Sequence, residues 1–451
     1  MRKIKFCGLP IIGLIYLMSS CLGSDETISD DWHMGNAQIS AFSVSNDSIS
    51  GLASVKFTID QLNGKIYNRD SMPYGTLLDE KLKCNITFEV GAYSVIIVQH
   101  ATGDTVTTVT DSVDFSAPVT ITIYPFDGLS SKTYEAKINI HQVNPDSMAW
   151  QKYSDLISGK AFDDMQVISY NEYYYMYASE SSEYNLYRTG LSDMVNWENL
   201  ELSGFPSDAI LSQITEYEGN LYVISRSRTL YYSTDGTTWL QVGNAPLITN
   251  LLGHLPENTI TKNAALLAGI TVEDNILYFT AMSKDMEWTT GNPVPETFPL
   301  SGFGRLNHVS MHHPRLVLAS GRDIKNGLSN KAWSTMDGLS WVTLSNNTAT
   351  FTPREGAAIS TYDNKFFLLG GIDNSGAALN DVYSSKDNGV TWLQDTVYTI
   401  MPEEYTARGF SSVFVSKDNY MLLFGGKAGK DTKILNELWR GRINRLGFNE
   451  Q

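Results

Sequence analysis

Residues 380–394 read Asn-Asp-Val-Tyr-Ser-Ser-Lys-Asp-Asn-Gly-Val-Thr-Trp-Leu-Gln, and this stretch decides the fold. Its chemistry is that of a β-hairpin tip. The short side chains of Ser385 and Asp387 can accept hydrogen bonds from turn amides, and Gly389 allows a backbone conformation with positive φ. Trp392 begins the next strand and is expected to pack inward. The stretch therefore predicts two antiparallel strands joined by a turn that its own side chains hold.

This pattern repeats through the C-terminal two thirds of the chain. A tryptophan opens a short extended segment about every 50 residues, a spacing typical of four-stranded units. A second series of aromatic residues precedes it, on the expected third strand of each unit. The tryptophans are Trp150, Trp197, Trp239, Trp288, Trp341 and Trp392, and the second series is Tyr187, Tyr231, Phe279, Trp333, Tyr383 and Trp439.

The two series are out of step at their ends. Trp150 has no strand aromatic before it, and Trp439 has no tryptophan strand after it. Both facts are explained if Trp150 lies on the outer strand of the unit that contains Trp439, because the ring then has no unpaired edge. Residues 147–451 are therefore predicted to form a six-bladed β-propeller that is closed by an N-terminal outer strand.

Residues 36–143 predict a separate domain of short strands. Segments 55–59 and 119–123 alternate apolar and polar side chains, as half-buried strands do. Asn63-Gly64 and Asp127-Gly128 are turn signals between such segments. About seven strands in this length predict an immunoglobulin-like β-sandwich, without the Cys-Trp-Cys framework of true immunoglobulin domains. The whole chain is predicted to be all-β, with this domain as a spacer or an adhesion module.

The N-terminus is predicted to be a targeting signal rather than a part of the fold. Residues 1–20 have a basic start and a short apolar run, as a signal peptide does. Leu17-Met18-Ser19-Ser20-Cys21 resembles a bacterial lipobox, in which Cys21 would carry the lipid. Residues 21–35 form an acidic tether that resembles an export signal to the outer face of the outer membrane. The alternatives are an ordinary secretory signal and a solvated linker.

Charge and cysteine usage exclude several partners. The formal net charge of −16 argues against nucleic acid and against an anionic lipid surface. Contact with a membrane is expected only through the lipid on Cys21. Cys84 is then the one thiol left after processing, so no disulfide and no thiolate metal site is expected within one chain. We expect Cys84 to be a small core residue.

Two parts of the opening stretch resemble known repeats. Ser385–Trp392 resembles the Asp-box of sialidase-like propellers, and Leu368–Gly371 followed by Asn380–Tyr383 resembles a Kelch repeat. Together with the lipobox and the first domain, the chain resembles Bacteroidales-type surface lipoproteins. Those proteins have an immunoglobulin-like domain followed by a Kelch or galactose-oxidase-central-domain-like propeller. The resemblance covers nearly the whole chain but implies no particular activity.

The resemblance implies a ligand site at the mouth of the central channel, at the start of each innermost strand. Alignment of the repeats places three arginines there, and the matching positions in the other half are acidic or polar. Guanidinium groups suit carboxylates or the vicinal hydroxyls of a sugar acid. The alternative is that each arginine pairs with a carboxylate of a neighbouring blade or caps a carbonyl. The candidates are Arg305, Arg354 and Arg408, with Asp164, Asp208 and Lys262 or Asn263 opposite.

The chemistry of these candidates favours binding over catalysis. The acid and nucleophile set of a sialidase is incomplete, and galactose oxidase is excluded because the propeller contains no cysteine. His308, His312 and His313 are expected to be ordinary turn residues, so no metal and no cofactor is predicted. We therefore predict a cell-surface protein that binds a glycan or a protein at the mouth. The alternative is a glycan-active enzyme, either a hydrolase or a sugar mutarotase or epimerase.

Overall fold

The structure is a computed structural model, and it describes residues 36, 38–89, 92, 94–107, 112–258, 260, 262–310, 312–344, 349–430 and 432–447. The predicted signal peptide, Cys21 and the acidic tether lie outside the described residues. The chain divides into two compact units between Gln142 and Val143. In the described part no helix is long and apolar enough to cross a membrane. The helical segments described are short 3₁₀ turns at Leu52–Ser54, Leu211–Gln213 and Asn444–Gly447.

In the first unit, the described strands form two β-sheets. Strands β1, β4 and β7 form one sheet, and the other has the order β2-β3-β9-β8-β5-β6, in which β3 and β9 run parallel. The strands are β1 (Ile39–Ser45), β2 (Phe57–Asp60), β3 (Lys65–Asn68), β4 (Leu82–Phe88), β5 (Ser94–Gln99), β6 (Thr105–Val106), β7 (Ser112–Val113), β8 (Val119–Tyr124) and β9 (Lys132–Lys137).

One hydrophobic core joins the two sheets of the first unit. Alternate residues of β8 are buried, as the alternation in segment 119–123 predicted, and alternate residues of β5 are buried as well. Phe42 of β1 and Ile97 of β5 belong to the same buried cluster, so the sheets pack face to face. Cys84 is also in this core, and burial raises the pKa of its thiol to about 12. The prediction that Cys84 is a small core residue is confirmed.

The described residues of the second unit form six four-stranded antiparallel sheets. We number them sheets 1 to 6 in chain order of their first strands. Sheet 1 contains β11 (Asp164–Tyr170), β12 (Tyr173–Glu180), β13 (Glu183–Gly190) and β14 (Glu198–Leu200). Sheet 2 contains β15 (Thr215–Tyr217), β16 (Asn220–Ile224), β17 (Leu230–Ser233) and β18 (Leu240–Gln241). Sheet 3 contains β19 (Ile248–Leu255), β20 (Leu266–Glu273), β21 (Ile276–Ser283) and β22 (Trp288–Pro293).

The other three sheets follow the same order. Sheet 4 contains β23 (Gly304–Ser310), β24 (His313–Ala319), β25 (Ala332–Thr335) and β26 (Val342–Thr343). Sheet 5 contains β27 (Ala358–Tyr362), β28 (Lys365–Ile372), β29 (Ala378–Ser385) and β30 (Leu393–Asp395). Sheet 6 contains β31 (Ser412–Val415), β32 (Met421–Phe424), β33 (Glu437–Ile443) and, from the start of the unit, β10 (Met148–Asp155).

The first strands of the six sheets form a closed ring. Strand β11 contacts the 3₁₀ turn before β15, and β15, β19, β23, β27 and β31 then contact one another in that order. Strand β31 contacts β11, which completes the circle. The aromatic series that the sequence assigned to third strands lies on β13, β17, β21, β25, β29 and β33.

The fourth strand of sheet 6 comes from the other end of the unit. Strand β10 pairs with β33 along its length, from Met148 opposite Ile443 to Asp155 opposite Glu437. Trp150 lies opposite Gly441, where a Cβ atom would overlap its ring. The predicted pairing of the Trp150 strand with the Trp439 strand is therefore present. It covers the edge that β33 would otherwise expose.

The turn between the third and fourth strands of sheet 5 has the hydrogen bonds that its sequence predicted. The Gly389 amide donates to Ser385 Oγ at 2.9 Å, and the Thr391 amide donates to Asp387 Oδ1 at 2.8 Å. Gly389 has φ 93°, and Trp392 is 1% exposed. Sheets 2 and 4 have equivalent turns around Asp235 and Asp337.

We expect Asp387→Ala to destabilise the second unit by about 1 kcal/mol, because an exposed but well-bonded turn carboxylate is lost. Burial raises the pKa of Asp387, but hydrogen bonds from Thr391 and Ser385 outweigh it and lower the pKa overall. Its folded pKa thus lies below its unfolded pKa. The stabilisation is complete above about pH 4 and is lost as the pH falls through the folded value.

Urea unfolding at pH 7 and pH 3 measures this effect. The wild type and Asp387→Ala should differ at pH 7, and the difference should be smaller at pH 3. Lys386→Ala, an exposed neighbour, is the control and should match the wild type at both values. A constant difference between Asp387→Ala and the wild type across this range would contradict the assignment.

Candidate functional site

A cavity of about 510 Å³ occupies the centre of the ring in the second unit. Every first strand contributes to its wall, so it is the central channel that the ring arrangement requires. Its wall combines backbone, small polar side chains and apolar side chains. One contributor from each first strand in turn is Asp164, Thr215, Asn250, Arg305, Ile359 and Val413.

Three charged side chains belong to the described wall of the cavity: Asp164, Arg226 and Arg305. Asp164 and Arg305 were predicted as site residues, whereas Arg226 was not. Arg226 follows β16 in the loop to β17, and its amide donates to the backbone oxygen of Asp208 at 2.9 Å. Arg226 reaches the channel because this loop folds back toward the first strand of its sheet. The aromatic repeat in the sequence does not predict where a loop residue will lie.

Asp164 is half-buried at the start of β11. Burial raises the pKa of its carboxyl group, although the charges of Lys427 and Arg226 act against this. The carboxyl group thus lies close to two cations without a direct salt bridge to either among the described residues. It can accept hydrogen bonds from a hydroxylated ligand.

Asp208 has a different role from the one predicted, because it does not belong to the cavity wall. Its carboxylate accepts a hydrogen bond from the Ser227 amide at 2.9 Å. Asp208 therefore holds the loop that carries Arg226. Lys262 and Asn263 are exposed and also lie outside the wall, where Asn263 bridges to Asn258.

Arg354 is fully buried within sheet 5, so the prediction that its guanidinium group faces a ligand is wrong. Its donors reach Thr352, the Gly370 carbonyl at 2.9 Å and both carboxylate oxygens of Asp381 on β29. These contacts use all five N–H donors of the guanidinium group. The group also lies 5.1 Å from the centre of the Tyr383 ring. Arg354 ties the approach to the first strand to the third strand of the same sheet.

Arg408 makes the same arrangement in sheet 6. It is 2% exposed, donates to the Gly425 carbonyl at 3.1 Å and forms a salt bridge of 2.8 Å with Glu437 on β33. Its guanidinium carbon lies 4.4 Å from the centre of the Tyr405 ring. The alternative interpretation, that these arginines are internal struts, therefore holds for Arg354 and Arg408. Their carboxylate partners belong to the same sheet and not to a neighbouring one.

The double glycines of β28 and the end of β32 make room for these struts. A Cβ atom on Gly371 would lie 3.1 Å from Arg354 Cδ, and one on Gly426 would lie 3.0 Å from Arg408 Cδ. Both glycines also have positive φ, at 113° and 103°. The Gly-Gly pairs and the two arginines are thus one structural device.

Arg305 is not the counterpart of Arg354 and Arg408. The bridges Ser301–Arg322, Glu355–Ile372 and Gly409–Lys427 align the three sheets. Arg354 and Arg408 each directly precede a bridged residue, whereas Arg305 lies further along, within β23. The error in the sequence alignment has a simple cause: β23 has seven residues and β27 has five, so counting back from the second strand gives different positions.

The Arg305 side chain extends from β23 to the 3₁₀ turn before β15, past the intervening β19. Its Nη2 donates to the backbone oxygens of Ser212, at 3.1 Å, and Ile214. Burial lowers the pKa of Arg305 to about 10. Burial also lowers the pKa of His254 on β19, and the nearby Arg305 charge contributes to this. Asn307 bonds the His254 ring at 3.0 Å.

The histidines of the β23–β24 hairpin do not converge. His308 packs edge-on against Phe366, with ring centres 4.8 Å apart, and His313 Nδ1 lies 3.3 Å from the Asn258 amide nitrogen. Within the described part of the chain, no three histidine, cysteine or acidic side chains cluster as a metal site needs.

A closed ring of four-stranded sheets around a central channel defines an all-β protein with a β-propeller domain. The chain belongs to the DUF6242 family. The DUF6242 beta propeller domain matches residues 144–451, and the DUF6242 N-terminal domain, a domain of unknown function, matches residues 33–138.

The chain also has similarity to solved structures. A structure described as "Structure of YjhT" has 12% sequence identity and a TM-score of 0.44, and the match covers 62% of this chain and 95% of that chain. The search of curated proteins found no match.

Proposed function

We propose that this protein is a cell-surface lipoprotein that binds a small glycan in the central channel of its propeller. The observation that carries the proposal is the cavity itself. Its volume of about 510 Å³ lies within the range of small-molecule sites, and all six first strands converge on it. Asp164 and Arg226 provide an acceptor and a donor of opposite charge beside serine, threonine and asparagine side chains. Such a mixture suits the hydroxyl groups of a sugar.

Binding is a better explanation than hydrolysis. A glycosidase normally places two carboxyl groups on either side of the bond that it cleaves. Asp164 is the one carboxylic acid in the described wall of the cavity. The pKa of Asp164 is raised, but this does not supply the second carboxyl group that hydrolysis needs. A binding protein needs no such pair.

The finer features of the fold belong to the same proposal. The six sheets are six blades, and the β10–β33 pairing closes the ring in the manner of propellers that share one blade between both ends. The turns at Asp235, Asp337 and Asp387 are Asp-boxes, and the Gly-Gly segments of sheets 5 and 6 are Kelch-like. The face-to-face sheets of the first unit support an immunoglobulin-like sandwich.

We expect Arg226→Gln and Asp164→Asn each to weaken glycan binding about tenfold, because each removes a charge-assisted hydrogen bond to the ligand. A glycan array selects the ligand, and calorimetry then measures the dissociation constants of the variants. Arg228→Gln is the matched control, since Arg228 lies in the same loop but outside the cavity wall. Equal effects of Arg226→Gln and Arg228→Gln would place the ligand elsewhere.

Lipidation at Cys21 and exposure on the cell surface are tested separately. Cys21→Ser should abolish palmitate labelling and release the protein from the membrane fraction. Protease treatment of intact cells should degrade the wild-type protein. Full protection of the wild type would contradict surface exposure, and retained label in Cys21→Ser would contradict lipidation at this residue.

A further inference from the structure

The buried end of the Arg305 side chain has no counter-ion among the described residues. Arg305 Nη1 is buried and has no hydrogen-bond partner among the described residues. The other terminal nitrogen, Nη2, donates to neutral backbone oxygens only. This differs from the struts, because Arg354 and Arg408 each bond a carboxylate. A buried cationic donor without a partner is costly, so its position demands an acceptor.

The surroundings of Arg305 supply no such carboxylate. No salt bridge joins it to an acidic side chain in the described residues, and burial is the cause of its lowered pKa. A titratable neighbour of Arg305 is His254, whose pKa is lowered mainly by burial, which favours its neutral form near pH 7. Neutral histidine and Asn307 can adjust to a ligand but do not cancel a positive charge. Arg305 belongs to the wall of the cavity, so an acceptor bound there would reach Nη1 after a small rotation of the guanidinium group.

We infer that Arg305 forms a binding site for a carboxylate group, and that the ligand in the channel is a sugar acid with one carboxylate. The inference rests on the proposed function for the sugar part and on Arg305 for the acid part. The hydroxyl groups of the sugar would face Asp164 and the small polar side chains of the wall. The carboxylate would accept the donor of Arg305 that the protein leaves unpaired.

The charge balance of the wall favours a monoanion. Arg226 and Arg305 together exceed Asp164 by one positive charge. One carboxylate balances the wall.

The test compares two sugars that differ by one carboxylate. Calorimetry with glucuronate and with glucose should show at least about tenfold tighter binding of glucuronate to the wild type. Arg305→Gln should remove this preference, and Arg305→Lys should restore only part of it, because an ammonium group lacks the planar donor pair. Arg228→Gln should keep the full preference. Melting curves of each variant confirm that it folds.

A second measurement needs no sugar. Sodium acetate should raise the melting temperature of the wild type above that in sodium chloride of equal ionic strength, and Arg305→Gln should lose this difference. If both sugars bind equally and acetate has no specific effect, the carboxylate site at Arg305 is wrong, whereas glycan binding is retained. If neither sugar binds but acetate stabilises the protein through Arg305, the carboxylate site is retained and the proposed glycan is wrong. If neither sugar binds and acetate has no effect, both are wrong.

Discussion

Arg354→Met is expected to lower the free energy of unfolding of the second unit by about 3–5 kcal/mol, because it leaves the Asp381 carboxylate without its partner inside sheet 5. Arg354 is fully buried, and the side chain of Asp381 is only 17% exposed. The lost hydrogen bonds connect Arg354, which lies just before β27, to Gly370 on β28 and to Asp381 on β29. Chemical denaturation followed by tryptophan fluorescence measures the change.

The double variant Arg354→Met with Asp381→Leu separates the ion pair from simple packing. It should recover much of the lost stability, because two apolar side chains then replace a buried ion pair. Lys325→Met removes an exposed ion pair with Glu296 and should leave stability unchanged. A stable Arg354→Met variant that instead loses ligand binding would contradict the strut and return Arg354 to the binding site.

Deletion of residues 148–154 is expected to abolish cooperative unfolding of the second unit. It removes nearly all of β10, so β33 becomes an open edge and its neighbours lose the cover of Trp150. An exposed edge strand also invites association with other chains. Calorimetry should show a broad transition or none, and light scattering should show aggregates. A sharp transition at the wild-type temperature would contradict closure through β10.

A milder change tests the same contact without a deletion. Gly441→Ala places a methyl group against the Trp150 ring and should cost about 1–3 kcal/mol. Gly243→Ala is the matched control, because a Cβ atom there meets nothing within 4 Å. If both alanine variants melt alike, the Trp150 contact contributes nothing to closure.

The correctly predicted features are those that depend on neighbouring residues. The turn at Ser385–Trp392 is held by side chains that accept from amides four positions further along and by the Ser385 hydroxyl, which donates to Asp387, so its sequence is sufficient to specify it. The third-strand aromatics recur with each sheet, and their spacing predicted the order of strands. Even the β10–β33 pairing followed from a local fact, namely that each series lacked one member at an end of the chain.

The candidate site could be predicted only in part. Asp164 and Arg305 line the cavity as expected. Arg354 and Arg408 instead point into their own sheets, where each bonds a carboxylate. The partner of Arg354 lies 27 residues further along the chain, so no short pattern shows the pair. Arg226 was missed because it lies on a loop whose path is fixed by Asp208.

The sequence by itself determined the all-β class, the turn chemistry, the propeller and the pairing that closes it, because short-range hydrogen bonds and a regular repeat encode these features. Only the tertiary structure decided which arginine faces the channel. Strand β23 is two residues longer than β27, and Arg305 lies at a different level from Arg354. Hairpin length sets strand register, and register decides whether a guanidinium group meets a carboxylate of its own sheet or the open centre of the ring.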